Sequence, residues 1–307
     1  MKTVFPKDIQ QAWGMQGSFR AGATDVWERS RKGLTEDVHI ELQGVQEMSK
    51  TSLVFLDEGL VVIPAMMTIS ELALVAPEIG HYALTQVASS LATPAIRNVA
   101  CVGGNLLQEV RCPYYRSGQI SCLKTGGEGC PAREGDHRYL STVDLGGCIA
   151  PHPSTLALAF VAIGALVRCL EEGEEKEIPI EELWINPKRR LLLSVVLPVS
   201  SETMSSAWYR ISNRQYAEWP LVEVVLFVRE SVNGIEEAYA YAGGVASIPL
   251  LIPELTHEWK EKKLSEIRID LEKPLLATHT FLPQSQYKER LLNVAFQEAL
   301  QQIQEQE

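Results

Sequence analysis

The chain has 307 residues, of which 46% are hydrophobic and 22% charged, and its formal net charge is −11. This composition is that of a folded globular protein, and the length allows two or three structural units. The acidic excess argues against nucleic acid as a partner, because phosphates attract lysine and arginine.

The distribution of apolar residues along the chain bears on the cellular location of the protein. The first residues, MKTVFPKDIQQAWGMQG, lack the unbroken apolar run of a secretory signal. No run of about 18 or more apolar residues predicts a membrane span. We therefore expect a cytoplasmic protein with no membrane partner, and a periplasmic one only if a partner subunit carries an export signal.

The first predicted unit has α/β character. DIQQAW near Asp8 indicates a short helix, GSFRAGATDVWERSRKG a strand, a turn and a helix, and DVHIEL a strand. The turn consists of Ala21, Gly22, Ala23, Thr24 and Asp25. Its backbone amides and the Thr24 hydroxyl can wrap a pyrophosphate; the alternative is an ordinary turn that Thr24 or Asp25 caps.

A hairpin and two helices follow in the second predicted unit. TSLVFLDEGLVVIPA predicts a hairpin with its turn at Asp57, Glu58 and Gly59. Thr68 and Glu71 form a capping-box pattern that predicts the start of a helix. A second helix, about 81–91, is expected to end before the proline at position 94.

The turn VGGN contains Gly103, Gly104 and Asn105, and its paired glycines allow close approach of a ligand to the backbone. The alternative is a loop that needs positive φ angles. Further on, STLALAFVAIGALVRCL predicts a buried helix followed by a strand, and EEGEEKE predicts a solvated hairpin tip.

Four of the six cysteines lie close together and follow the spacing C-x9-C-x7-C-x17-C. They are Cys112, Cys122, Cys130 and Cys148. Short zinc knuckles and ferredoxin spacing are both absent, so spacing alone leaves a zinc site, an iron–sulfur site, a disulfide loop and no metal open. A reducing compartment disfavours the disulfides.

Three further residues are expected to be structural. Cys169 lies in a predicted buried strand and should pack as a small hydrophobe. Cys101 precedes the paired glycines, and inert packing is favoured over ligand contact. His152, in APHPST, can be a ligand or a base, but a satisfied polar group is favoured.

Long β runs, LLLSVVLPV among them, characterise the chain from about Pro187. PLVEVVLFVRES and IEEAYAYAGGVA flank Asn233 and Gly234, a strong hairpin signal. The tail predicts an amphipathic helix whose apolar stripe is Leu291, Leu292, Ala295, Phe296, Ala299, Leu300 and Ile303. This helix should pack on the preceding sheet, which gives an α+β C-terminal unit.

Seven motifs together resemble a known family. FPKDIQQAW, RAGATDV, IPAMMTISELA, IRNVACVGGNLL, HPSTLALAFVAIGALV, IPIEELW and YAGGVASIP occur in the order and spacing of the FAD-binding medium subunit of the molybdenum hydroxylases. This is the family of the xanthine dehydrogenase and carbon monoxide dehydrogenase flavoproteins. The resemblance covers nearly the whole chain.

The resemblance implies an α/β (α+β) fold class. The chain would consist of a two-lobed FAD-binding domain of the vanillyl-alcohol-oxidase-like type and a small α+β C-terminal domain. The first domain would span 1–185, with lobes 1–52 and 53–185, and the second 186–307. A cysteine-rich insertion at 106–151 would interrupt the flavin site between VGGN and HPST.

That insertion resembles the one in the flavin subunits of 4-hydroxybenzoyl-CoA reductase and the periplasmic aldehyde oxidoreductase, where four cysteines bind a [4Fe-4S] cluster. Carried across, the cluster ligands are Cys112, Cys122, Cys130 and Cys148. The loop has little apolar content for a core of its own, so we expect the cluster to supply the missing crosslink.

The FAD contacts carried across by the resemblance are Ala21, Gly22, Ala23, Thr24, Asp25, Gly103, Gly104, Asn105, Ser154 and Thr155. Two positions depart from the family pattern. Ala23 replaces the second glycine of AGGTD, and Thr155 replaces the aspartate of PSDLA. Both changes are expected to alter or weaken FAD binding.

The implied function is electron relay. No residue of this chain is expected to be catalytic; a molybdopterin-binding large subunit and a [2Fe-2S] small subunit would be its partners, with an external electron acceptor or donor. An aldehyde, an aromatic acyl thioester or an N-heterocycle would react on the partner. The alternatives are a degenerate subunit without flavin and a stand-alone FAD oxidase.

Overall fold

A small parallel sheet forms the N-terminal lobe in the computed structural model, which describes residues 2–57, 59–199, 204–214, 217–253 and 258–306. Its strands, in spatial order β1-β3-β2, are β1 (Lys2–Val4), β3 (Val38–Glu41) and β2 (Ser18–Arg20). Helices α1 (Ile9–Gly14) and α2 (Val26–Ser30) connect them. The Asp8 carboxylate caps α1 by accepting a hydrogen bond from the Gln11 amide at 2.7 Å. The alternation of strands and helices in this lobe confirms its predicted α/β character.

An antiparallel five-stranded sheet, in the order β4-β5-β8-β6-β7, forms the second lobe. Its strands are β4 (Val54–Leu56), β5 (Leu60–Pro64), β6 (Leu166–Glu171), β7 (Glu174–Pro179) and β8 (Leu191–Pro198). The two predicted hairpins, β4 with β5 and β6 with β7, are confirmed. Of the predicted turn between β4 and β5, Glu58 lies outside the described residues.

Strand β8 corrects the expected division of the chain. The sequence assigned LLLSVVLPV to the C-terminal unit beginning at 186, but β8 pairs with β5 and β6 at the centre of the second lobe's sheet. An apolar strand buried on both faces carries no mark of which sheet it joins, so its partners are fixed only by the tertiary structure. We place the boundary of this lobe after residue 199.

Six helices complete the second lobe. They are α3 (Ile69–Ile79), α4 (Tyr82–Ser90), α5 (Pro94–Arg97), α6 (Val102–Leu106), α8 (Thr155–Ile163) and α9 (Glu182–Ile185). Thr68 and Glu71 make the predicted reciprocal capping box of α3. All residues of α8 are buried, because it packs between this lobe and the C-terminal sheet.

The C-terminal unit is an antiparallel sheet in the order β12-β11-β10-β9, covered by one helix. Its strands are β9 (Met204–Ile211), β10 (Val222–Ser231), β11 (Gly234–Gly243) and β12 (Leu250–Leu251). Helix α10 (Lys288–Gln304) packs its predicted apolar stripe on β9 and β10, and the hairpin at Asn233 and Gly234 is confirmed. No helix in the described part of the chain is long and apolar enough to cross a lipid bilayer.

The cysteine-rich insertion folds between the N-terminal lobe and the C-terminal unit. Its one α-helix is α7 (Pro113–Arg116), and short 3₁₀ turns follow. Contrary to expectation, it has a small apolar cluster of its own: Val110, Cys112, Tyr115, Cys122, Ala132, Leu140, Ile149 and Ala150 pack together with Leu282 of the C-terminal unit. The missing apolar surface is therefore partly supplied by a distant segment.

Candidate functional site

The two small-residue turns lie on opposite walls of one cleft between the lobes. Ala21, Gly22, Ala23, Thr24 and Asp25, between β2 and α2, line one wall, and Gly103 and Gly104 at the start of α6 line the other. Asn105 and Thr155 line the adjoining outer part of the cleft, which also includes Thr24, Asp25 and Gly104. The structure thus brings together residues predicted to contact FAD from three separate segments.

Gly22 is required where the two turns meet. A Cβ atom built at Gly22 would lie 1.8 Å from the carbonyl oxygen of Val99, so only glycine permits this approach. Cys101, the N-cap of α6, accepts a hydrogen bond on Sγ from the amide of Gly104 at 3.3 Å. Burial raises the pKa of the Cys101 thiol, so it stays neutral.

The first turn offers unpaired backbone donors to the cleft. The amides of Ala23 and Thr24 have no acceptor among the described residues. Ala23 has φ 56°, in the left-handed region that favours glycine. Free amides in such a turn fit the phosphate oxygens of a nucleotide, so the residues present are compatible with a bound dinucleotide.

The Asp25 carboxylate forms ion pairs with three arginines. Its carboxylate pairs with Arg116 at 2.6 Å, Arg29 at 2.9 Å and Arg111 at 3.0 Å. Burial alone would raise the pKa of Asp25, but Arg111, Arg116 and Arg29 hold that pKa below its usual value. Asp25 occupies the N-cap of α2 without a side-chain cap bond, so it anchors the insertion instead of capping the helix.

Ser154 and Asn105, 49 positions apart, are in direct contact. The Ser154 hydroxyl donates to Asn105 Oδ1 at 2.6 Å and accepts from the Ala157 amide at 2.9 Å, which caps α8. Thr155, the next residue, lies near the buried carboxyl group of Glu223 on β10, whose pKa burial raises to about 7 while the Thr155 and Trp208 side chains lower it. The site therefore includes a carboxyl group from the C-terminal unit beside Thr155.

The outer part of the cleft carries charged and aromatic groups that the sequence did not single out. The Arg111 guanidinium lies 4.6 Å from the ring centroid of Trp219, which reaches over from the C-terminal unit. No sequence motif marked the arginines that pair with Asp25, because Arg111 and Arg116 are distant from Asp25 in the chain. Glu223 did leave a signal: it is the single charged residue in the apolar run PLVEVVLFV.

The four predicted cluster ligands line one small cavity in the insertion, together with Val110, Tyr115, Ala132 and their neighbours. All four are free thiols; Cys112 and Cys122 are buried, and Cys130 and Cys148 are half-buried. Burial raises the pKa of Cys112 and Cys148, and neighbouring thiols raise it further. In the described residues no three Cys, His, Asp or Glu side chains are grouped so as to hold a metal ion.

The residues expected to be structural behave as such. Cys169 is fully buried in β6. His152 packs its ring edge against Trp184, with the ring centroids 4.4 Å apart, and its Nδ1 accepts from the Ser154 amide. Burial lowers the pKa of His152 to about 3, which leaves it neutral.

The chain matches known proteins over most of its length. The family model described as the FAD binding domain in molybdopterin dehydrogenase matches residues 2–200. A relative, the aldehyde oxidoreductase FAD-binding subunit PaoB of Escherichia coli (strain K12), is 27% identical over 246 residues, which cover 75% of each chain.

Several solved structures have the same fold. A carbon monoxide dehydrogenase chain from Hydrogenophaga pseudoflava gives a TM-score of 0.73 at 12% identity, covering 98% of this chain and 96% of that one. The Oligotropha carboxidovorans enzyme gives 0.70 at 14% with the same coverage. Quinoline 2-oxidoreductase from Pseudomonas putida 86 gives 0.70 at 13%, covering 98% and 95%. The predicted fold class is confirmed; identities this low show the fold alone.

Proposed function

Because this chain belongs to the family of FAD binding domains in molybdopterin dehydrogenases, we propose that it is the FAD-binding electron-transfer subunit of a heteromeric molybdopterin-dependent oxidoreductase. The observation that carries the proposal is the cleft in which the turn at 21–25 faces Gly103 and Gly104. A molybdopterin-binding large subunit and a [2Fe-2S] small subunit are its proposed partners, and an external molecule accepts or donates the electrons.

FAD would supply the electron-transfer chemistry of the subunit when bound. The chain's own residues would hold it: the free amides of Ala23 and Thr24 would bind phosphate oxygens, and Gly22 permits the close approach of the first turn to Val99. Asn105, Ser154 and Thr155 would bind at the outer part of the cleft. Ala21, Gly103 and Asp25 complete the walls, and the Asp25 carboxylate orients three arginines there.

The flavin claim is tested by the visible spectrum of the chain purified with its partner subunits. We expect flavin absorption that disappears on acid precipitation and a supernatant with the fluorescence of FAD. An iron-containing complex without flavin would contradict the proposal and favour a scaffold subunit, the alternative that Ala23 and Thr155 suggest. Turnover by the isolated chain would instead favour a stand-alone oxidase.

We also propose that Cys112, Cys122, Cys130 and Cys148 bind a [4Fe-4S] cluster. The support is that all four free thiols line a single cavity with an otherwise largely apolar wall.

Replacing Cys122 by serine tests the cluster. We expect anaerobically purified Cys122→Ser to lose about one cluster's iron and labile sulfide while keeping its FAD. Cys169→Ser is the matched control, because Cys169 is a buried thiol in β6 and should leave the iron content unchanged. Unchanged iron in Cys122→Ser, or zinc in its place, would contradict the cluster.

The substrate class is proposed from the named relatives and from the family resemblance. The 27% identical relative is a subunit of an aldehyde oxidoreductase, and quinoline, the substrate named for one structural neighbour, is an N-heterocycle. We propose an aldehyde, an aromatic acyl thioester or an N-heterocycle that reacts on the large subunit. The proposed location is the cytoplasm, or the periplasm if a partner carries an export signal.

A further inference from the structure

The Arg111 side chain joins the outer part of the cleft to three segments of the chain. Arg111 immediately precedes Cys112 in the insertion. Its guanidinium forms an ion pair with Asp25 of the first turn at 3.0 Å and donates to Gln108 Oε1 at 2.9 Å. The ring centroid of Trp219 lies 4.6 Å from the guanidinium carbon. The N-terminal lobe, the insertion and the C-terminal unit therefore meet at this guanidinium.

One donor of the Arg111 guanidinium has no acceptor. Nη1 and Nη2 reach Glu28, Asp25 and Gln108, but the buried Nε has no hydrogen-bond partner in the part of the chain that the structure describes. A buried N–H without an acceptor costs free energy and is uncommon in folded proteins. Because Arg111 lines the outer part of the cleft, a ligand bound there with an acceptor atom would complete its hydrogen bonding.

Positive charges outnumber the carboxylates that line the outer part of the cleft. These carboxylates are Asp25, Glu28 and Glu218. All three form ion pairs, and their cationic partners among the described residues are Arg29, Lys32, Arg111, Arg116 and Arg214. Five cations on three carboxylates leave two positive charges in excess, although the chain as a whole has a net charge of −11. The outer part therefore favours a ligand that carries negative charge.

The cleft has room for one ring system of a flavin dinucleotide on each side of the first turn. Its inner part has a volume of about 120 Å³ and its outer part about 240 Å³, and Thr24 and Asp25 line both. With the phosphates on the free amides of the turn, one ring system would lie in each part. The three-ring isoalloxazine is larger than adenine, so it fits the outer part. It is also the ring that becomes negatively charged when it accepts electrons.

We infer that Arg111 is the cationic contact of the isoalloxazine ring, where its guanidinium stabilises the negative charge that the ring gains on reduction, and that Trp219 holds the guanidinium in place. The inference rests on the proposed function, because it takes FAD as the ligand. It gives the cysteine-rich insertion a role in the flavin site that is independent of a bound cluster.

Arg111→Met tests the charge. Sulfite adds reversibly to oxidised flavin and makes the ring anionic, so its affinity measures how well the site stabilises negative charge. In the complex purified with the partner subunits, we expect the Kd for sulfite to rise about tenfold in Arg111→Met. The same factor lowers the two-electron midpoint potential of the flavin by about 30 mV. Arg111→Lys keeps the charge and should change both quantities less.

Arg138→Met is the matched control for Arg111→Met. It removes one positive charge from the same insertion, but Arg138 does not line the outer part of the cleft and its side chain is 64% exposed. It should leave the sulfite Kd and the potential of the flavin unchanged. An equal effect of both substitutions would show that only the overall charge of the insertion matters, and would overturn the inference.

Two other routes from Arg111 to the flavin are separated by further measurements. If Arg111 bound the diphosphate, Arg111→Met would weaken the binding of ADP to the deflavinated complex. We expect the Kd for ADP to be unchanged, because ADP has no isoalloxazine ring. If Arg111 acted through the proposed cluster, its effect on sulfite binding would vanish in the Cys122→Ser background, where we expect it to persist. Weaker ADP binding or a vanished effect would overturn the inference.

Trp219→Leu tests the holding of the guanidinium and does not require Arg111→Met to fold. Trp219 is 47% exposed, so its replacement should be tolerated. We expect the sulfite Kd to rise about threefold, the effect of one cation–π contact, and less in Trp219→Phe. Adding Trp219→Leu to Arg111→Met should have no further effect. Equal effects in both backgrounds would overturn the positioning role, and unchanged sulfite affinity in both Trp219→Leu and Arg111→Lys would overturn the whole inference.

The failure of the proposed function is distinguishable from the failure of this inference. A wild-type complex that binds no FAD contradicts both claims. A wild-type complex that binds FAD, with the same sulfite Kd and flavin potential in Arg111→Met, contradicts only the role of Arg111.

Discussion

Ala23 adopts the backbone conformation that the turn at 21–25 requires, and this conformation is strained for alanine. Its φ of 56° lies where a Cβ atom is unfavourable by about 1 kcal/mol, and glycine has no such penalty. The resemblance indicates glycine at this position, and its replacement by alanine was expected to alter or weaken FAD binding. In the structure, the unfavourable energy of alanine at position 23 comes from its own backbone conformation.

Ala23→Gly should therefore stabilise the protein by about 1 kcal/mol, because relief of the strain outweighs the extra entropy of the unfolded chain. Urea unfolding of the apo chain measures the change. Ala21→Gly is the matched control: Ala21 is not among the positive-φ residues, so glycine there should destabilise slightly. Equal effects of the two substitutions would contradict the backbone explanation.

Helix α7 shows what fixes the insertion to the rest of the molecule. The Arg116 side chain, 8% exposed, donates to Asp25 and Glu28 of the N-terminal lobe and to the carbonyl oxygens of Val110 and Glu109. It thereby joins the helix that follows Cys112 to the turn on the cleft wall. The cleft and the cysteine cavity are consequently joined through this side chain.

Arg116→Met should lower the free energy of unfolding by about 3 kcal/mol, because it removes one partner of a buried ion pair and leaves two carbonyl oxygens without their donor. Denaturant unfolding measures this loss, and limited proteolysis should show faster cleavage within 106–151. Arg138→Met tests an ion pair in the same insertion whose arginine is 64% exposed, and it should have little effect. Similar losses in both variants would contradict the anchoring role.

Across the whole molecule, the insertion also joins the C-terminal unit. Thr142 and Val143 donate backbone hydrogen bonds to the carbonyl oxygen of Val245, and Leu282 donates to that of Thr142. Lys288, at the start of α10, is fully buried and donates to the carbonyl oxygen of Gly244 at 2.9 Å. Three parts of the chain that are distant in sequence therefore depend on each other for their position.

Lys288 makes this junction sensitive to pH. Burial lowers its pKa to about 7, so the unfolded state binds more protons than the folded state between pH 7 and the ordinary value of 10.5. Its contribution to stability therefore increases with pH across this window. Relative to Lys288→Met, the wild type should gain about 1 kcal/mol per pH unit above pH 7 in urea unfolding.

The same substitution at the half-exposed Lys273 serves as the control and should show no such slope. A constant difference between the wild type and Lys288→Met from pH 7 to 9.5 would mean that Lys288 keeps its proton in the folded state. The junction would then hold a charged lysine on its carbonyl oxygens.

The sequence by itself determined the elements whose signals are local. The capping box at Thr68, the hairpin at Asn233 and Gly234, and the stripe of α10 were predicted because side-chain chemistry and periodicity act within a few residues. The ordered motifs also predicted the family and the fold class.

Only the tertiary structure decided which distant groups meet. Nothing local marks β8 as the central strand of the second lobe, Arg116 as a partner of Asp25, or Glu223 as a neighbour of Thr155. A buried apolar strand fits either sheet, and a charged side chain finds its partner only after folding removes water from both. The turns of the site follow from the sequence, whereas its arginines and Trp219 are brought to it only by the packing of three units around it.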